Sequence, residues 1–188
     1  EADRAHVTTK NKLQPVVLPL SPWKKVAVDI KGALEDSKPR YLLVIQDYYS
    51  KWPEVYSLSK ISSNSVVKAL SDCFARFGLP EEIVSDNGTQ FVSKETSTFL
   101  ESLGIVHKRV ALAAPSQNGL VERFNRVIKE KLEEATKFGW DKCKTLSNML
   151  VDYRSTPHSV TKISPFEAMF GRKMKIKLSQ LAPVVPDK

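Results

Sequence analysis

The chain is predicted to form an α/β domain, a five-stranded mixed sheet flanked by helices. Two observations carry that prediction. Three strand-like segments follow one another closely near the N-terminus. From there strand and helix patterns alternate in the order βββ-α-β-α-β-α-α, closed by one short further helix. No segment repeats another, and 188 residues suffice for one domain with a full core.

Residues 1–22 lack periodicity and carry Pro15, Pro19 and Pro22, the mark of an extended lead-in. Trp23–Gly32 alternates as a strand about Val26, Val28 and Ile30. Arg40–Tyr49, RYLLVIQDYY, is a continuous apolar run of the kind found in strands buried on both faces. Pro53–Ser59 is a shorter third strand, and the tight spacing of the three predicts an antiparallel meander. A helix follows, with Ser62, Ser63 or Asn64 as its cap and Val66, Val67, Leu70, Phe74 and Phe77 at helical spacing. Gly78 and Pro80 stop it. Glu81–Asp86 reads as the fourth strand, Lys94–Gly104 as a short helix and Ile105–Val110 as the fifth strand. A long helix begins within Ala114–Arg126 and runs to about Lys137, and another covers Asp141–Tyr153. The last starts at Ser164-Pro165, where proline suits the first turn. From Arg172 the chain is basic and proline-bearing, as a linker is.

Lysine and arginine outnumber acidic residues 29 to 21, giving a net charge of +8 and favouring a polyanionic partner. No apolar run approaches the roughly 18 residues a membrane span needs, and the N-terminus has no signal-peptide pattern. Cys73 and Cys143 fall in helical patterns and are expected to be buried thiols of a reducing compartment, with no zinc spacing about them. Trp23, Trp52 and Trp140 are expected to anchor packing. His107 and His158 are single and read as structural or surface residues. Lys173, Lys175 and Lys177 fit either a solvated linker or a DNA-facing tail.

Three carboxylates stand out. Asp29 sits in the first strand on the opposite face from Val28 and Ile30, where a charge is costly unless the face opens to a site. The other reading is a strand-end aspartate at solvent. Asp86 closes the fourth strand, and open sheets collect ligands beyond such strand ends. An Asp-Asn-Gly turn in which Asp86 only bonds nearby backbone is the alternative. In the long helix, Val121, Phe124, Ile128 and Leu132 share the face towards the sheet, while Asn118, Glu122, Arg126 and Lys129 form another stripe. Alone, Glu122 and Arg126 would be an i,i+4 pair on a solvated face, worth a few tenths of a kcal/mol. Together, the three carboxylates supply the oxygen ligands that two magnesium ions use, with substrate phosphate supplying the rest. Such ions activate an attacking oxygen and stabilise a leaving one, and Arg126 and Lys129 would then meet a phosphate backbone.

With 35 residues between the last two, Asp29, Asp86 and Glu122 resemble the D,D(35)E signature of retroviral and retrotransposon integrases. The words PWKKVAVDIKG, YLLVIQDYYSKWPEV, FGLPEEIVSDNGTQF, NGLVERFNRVIKEKL and YRSTPHSVTKISPFEAMFGRK agree in order. From about Trp23 to Lys173 the chain is similar to the catalytic core of gypsy-class integrases, or of a host protein derived from one. The resemblance implies an RNase H-like fold and binding of Mg²⁺ or Mn²⁺ by Asp29, Asp86 and Glu122, as two ions when DNA is bound. It implies trimming of a DNA 3′ end, then attack of the freed hydroxyl on a target phosphodiester with no covalent protein–DNA intermediate. Its implied partners are DNA (element ends and target), a second copy or more of the chain, and chromatin or host proteins in the nucleus, with no membrane. Ser116, Gln117, Asn118, Arg126 and Lys129 match the family's DNA-contacting helix and preceding loop. Asn125 matches a position beside the acidic ligand, and Asn87 one next to the second aspartate. On this reading residues 1–22 are a lead-in, 23–173 the core and 174–188 a basic linker.

The sequence departs from the family in places. The usual His-Pro-Gln-(Ser/Thr)-Asn-Gly loop is here Ala114-Pro115-Ser116-Gln117-Asn118-Gly119, and IKGA replaces Phe/Tyr-x-Gly-Pro after the first aspartate. No upstream His-His-Cys-Cys zinc module and no C-terminal β-barrel or chromodomain is legible, so an isolated core is expected, with His6 an ordinary surface residue. Three functions compete: an active integrase core, an integrase-derived host protein kept for DNA or protein binding with its chemistry unused, and an RNase H-type nuclease. The VERFNR helix and the 35-residue spacing favour an integrase over the nuclease.

Overall fold

The computed structural model describes residues 19–32, 41–110 and 115–176, with only the backbone for 115–119. The expectations for residues 1–18, for His6 and Lys177, and for the end of the basic tail fall outside the described residues. Strands β1 (Lys25–Gly32), β2 (Tyr41–Asp47) and β3 (Pro53–Leu58) form the antiparallel meander that their spacing predicts. β4 (Glu82–Ser85) pairs parallel with β1, and β5 (Val106–Arg109) parallel with β4. The order across the sheet is β3-β2-β1-β4-β5. The chain therefore leaves β1 to one side through the meander and returns on its other side at β4. That makes the carboxyl ends of β1 and β4 a topological switch point, where open sheets leave a crevice.

Alternation fills both faces. Val26, Val28, Leu43, Ile45 and Ile83 pack with Val66, Leu70 and Phe74 of α1 (Ser63–Phe77) and Leu100 of α3 (Lys94–Ser102). Ala27, Leu42, Val44 and Val84 pack with Val121, Phe124, Ile128 and Leu132 of α4 (Pro115–Phe138) and Met149 of α5 (Lys142–Ser155). β2 contributes alternate residues to each cluster, which is why its sequence reads as an unbroken apolar run.

Of the three candidate caps for α1, Ser62 is used: its Oγ accepts the Ser65 N–H at 3.2 Å. Gly78 ends the helix at φ 84°, a left-handed conformation that glycine adopts without a Cβ penalty. Trp23 Nε1 donates to the Gly78 carbonyl at 2.9 Å and Trp52 Nε1 to Glu54 Oε1 at 2.9 Å, so these two tryptophans are packing anchors as expected. Ser164 caps α6 (Pro165–Phe170) through the Glu167 N–H.

Two expectations change. Trp140 is exposed and stacks on Phe138 with centroids 5.1 Å apart, because Gly139 turns the chain out at the end of α4. Cys73 is buried but Cys143 is exposed, because it is the second residue of α5 and stands a turn before Leu146, where the packing of that helix on the core begins. A short helix to which the sequence assigned no element, α2 (Thr89–Val92), follows the Asp86–Gly88 turn and buries Phe91. Among the described residues no helix is long and apolar enough to cross a membrane.

Candidate active site

The face of β1 that Asp29 joins is the one occupied by Ala27, towards α4. There the side chain is partly buried, and Asn125 donates its Nδ2 to Asp29 Oδ2 at 2.6 Å. Asn125 is itself buried on the sheet-facing side of α4, and its Oδ1 finds no partner among the described residues. Burial is the main reason the Asp29 carboxyl is pushed up to about 6. The charge of Asp86 pushes the same way, and that of Glu122 does so more weakly. The Ile30 backbone and Lys31 pull against them.

Asp86 follows the last residue of β4. The parallel register pairs Ala27 with Val84, so two residues further on each strand bring Asp86 alongside Asp29. Asp86 Oδ1 accepts the Gly88 N–H at 2.9 Å. The Asp-Asn-Gly turn and the site position are therefore the same geometry, not alternatives. A Cβ at Gly88 would stand 3.0 Å from Asp86 Oδ1 and 2.3 Å from Gln90 Nε2, the end of a flexible side chain that can swing aside, and Gly88 has an ordinary φ of −54°, so the turn does not demand glycine. Asn87 is exposed beside it.

Glu122 projects from the exposed face of α4, one position along from buried Val121. It makes no ion pair with Arg126 among the described residues. Arg126 is exposed and unpaired there, whereas Lys129 lies 3.6 Å from Glu133. The ion pair that competed with a ligand role for Glu122 is thus not formed. Ser116, Gln117 and Asn118 lie in the first turns of α4 by backbone, and their side chains fall outside the described residues.

Among the described residues, no three His, Cys, Asp or Glu side chains stand close enough to hold an ion as placed. The donor chemistry nevertheless fits a divalent cation. The charges of Asp86 and, more weakly, Glu122 act on Asp29 at the end of the sheet, and an amide oxygen without a partner among the described residues is buried beside it. A cavity of about 420 Å³ lies elsewhere, at the amino ends of β1 and β4 between Lys24, Lys25, Glu81, Glu82 and Lys108. Those residues pair with each other, Lys24 with Glu81 at 2.9 Å and Lys25 with Glu82 at 2.8 Å, so its polar groups are largely spoken for.

Behind the site, on the other face of the sheet, Ser85 and His107 form a pair that the sequence did not connect. Ser85 Oγ lies 2.8 Å from the Asp86 carbonyl oxygen and 2.8 Å from His107 Nε2. Ser85 reads as an unremarked strand residue, and only the β4–β5 pairing brings His107 to it.

The strand order and the helices on both faces define an RNase H-like α/β domain of the integrase type. The family model described as integrase core domain matches residues 20–115, and the chain belongs to that family. Its relatives include an uncharacterized protein of Caenorhabditis elegans, 37% identical over 172 residues, with 91% of this chain and 13% of that protein aligned. The Gag-Pol polyprotein of Walleye dermal sarcoma virus is 35% identical over 173 residues, with 89% and 10% aligned. The chain thus spans about a tenth of the length of these curated relatives. Among solved structures, the HTLV-2 integrase catalytic core domain in complex with magnesium superposes with a TM-score of 0.65 at 23% identity, over 79% of this chain and 97% of that one. It is recorded in trimeric and dimeric forms. The simian T-cell lymphotropic virus intasome, in complex with the regulatory subunit B56 gamma, gives a TM-score of 0.73 at 21% identity, over 97% of this chain and 65% of that one.

Proposed function

We propose that this domain is the catalytic core of a DNA polynucleotidyl transferase that processes DNA 3′ ends and joins them to target DNA. The observation that carries the reading is the meeting of Asp29, from the middle strand, with Asp86 at the switch point, under the further influence of Glu122. These three would hold Mg²⁺ or Mn²⁺, as two ions with DNA bound. Held there, the metal would supply activation of an attacking oxygen and stabilisation of a leaving one. The chain's own groups do the rest. Asn125 fixes the Asp29 carboxylate by its 2.6 Å hydrogen bond. The Gly88 N–H fixes that of Asp86. Arg126, exposed on the same helix as Glu122, would meet a DNA phosphate. Ser116, Gln117, Asn118 and Lys129 would extend that contact along the helix and its lead-in loop, with Asn87 beside the second aspartate.

On this reading the core spans residues 23–173, between a lead-in and a basic linker. Element ends and target DNA are its substrates, in the nucleus. A homodimer or larger assembly, and contacts with chromatin or host proteins, belong to the same reading. Strand transfer on labelled duplex ends with Mg²⁺ or Mn²⁺, using the full-length protein beside Asp86→Asn, tests it. Joining by the wild type and none by the variant is expected. Equal joining by both would remove Asp86 from the chemistry. Binding of DNA without joining by either would establish the alternative, a DNA- or protein-binding module whose catalysis is unused.

A further inference from the structure

Asp86 is held from both faces of the sheet. Ile83 belongs to the core beneath α1 and α3 and Val84 to the core beneath α4, so Ser85 points away from Asp29 and Glu122. It is completely buried. A hydroxyl carries one proton. If Ser85 Oγ donates to the Asp86 carbonyl at 2.8 Å, it must accept from His107 Nε2 at 2.8 Å. That assignment puts the ring proton on Nε2 and leaves Nδ1, buried and without a partner among the described residues, as the unprotonated nitrogen. The neighbouring carbonyl, Ser85 O, accepts the Val110 N–H at 2.9 Å. Both carbonyls of the Ser85–Asp86 step are thus tied to β5 or its extension, one directly and one through the hydroxyl.

We propose that Ser85 and His107 are a positioning pair: from the far face of the sheet they set the Asp86 peptide, and so the aim of the carboxylate on the near face. The inference rests on the reading of Asp86 as a metal ligand. The chain order makes such a device useful, because Asp86 stands beyond the last ladder residue of a four-residue strand, where the sheet alone no longer fixes the backbone. Residues that orient a ligand from outside its coordination shell commonly change metal affinity by roughly tenfold or more when removed.

The test uses this chain, wild type and as Ser85→Ala, His107→Phe, His107→Gln and Asp86→Asn. Long-range ¹H–¹⁵N correlation on the metal-free wild type reads the His107 tautomer, and Nε2–H is expected. Melting temperature followed through a Mg²⁺ titration gives half-saturation for each protein. Ser85→Ala and His107→Phe should raise it roughly tenfold, and His107→Gln, which keeps an N–H donor, should restore most of it. A protonated Nδ1, or half-saturation within about twofold of wild type for both Ser85→Ala and His107→Phe while Asp86→Asn loses the response, overturns the pair and leaves the function reading standing. An undiminished Mg²⁺ response in Asp86→Asn overturns both.

Discussion

Asp29 carries a charge into a partly buried place beside another carboxylate, and the fold works against that charge. With the carboxyl raised to about 6 from an unfolded value near 3.8, the folded state holds the proton more tightly than the unfolded one. The group's contribution to stability is fully present below pH 3.8 and is lost as pH rises through about 6. Above that, in metal-free protein, the cost is on the order of 2–3 kcal/mol. Asp29→Asn should therefore melt higher than wild type in EDTA at pH 7.5, with the gap closing towards pH 4. The neutral amide would also offer a donor to the orphaned Asn125 Oδ1. Identical melting curves at both pH values would contradict this account. Such a gain in stability with loss of the ligand is the trade expected of a residue kept for function.

The long helix α4 joins core and site in one element. Phe124 and Ile128 are buried to within 1% on one side, Asn125 reaches Asp29 from the same side, and Glu122 and Arg126 look outward. Ile128→Ala should cost about 3 kcal/mol through lost burial and the cavity left behind. The measurement is the urea midpoint at unchanged denaturant slope. A loss below about 1 kcal/mol would mean that the helix does not pack through this face. The apolar spacing of α4 was legible in the sequence because it follows from helical periodicity alone. Asn125, four residues after Val121 and three before Ile128, falls inside that apolar stripe by spacing, but the partner that satisfies its amide, a strand aspartate 96 residues away, is visible only in the fold.

At the scale of the molecule, a net charge of +8 favours DNA, and the two basic residues of the α4 stripe are not equivalent. Arg126 is unpaired among the described residues, while Lys129 already has Glu133 at 3.6 Å. Removing two phosphate contacts should flatten the dependence of log K on log salt by about 1.8. Arg126→Ala should account for more of that change than Lys129→Ala, read by fluorescence anisotropy on duplex DNA between roughly 50 and 200 mM salt. An unchanged slope in the double variant would take the stripe away from phosphate.

The sequence by itself determined the five strands, their mixed character, the burial of β2 on both faces, the buried stripe of α4 and the family. Each of these is written in local periodicity, turn residues or the order of short words. It also singled out Asp29, Asp86 and Glu122, through their spacing along the chain. Only the tertiary structure decided how they are supported. The β1–β4 register brings the aspartates alongside one another. The β4–β5 pairing brings His107 to Ser85. The end of α4 turns Trp140 to solvent, and Cys143 falls in the first turn of α5, before the stretch that packs on the core. These outcomes depend on contacts between residues distant in the chain, and a hydrogen bond across strands leaves no period in the sequence that forms it.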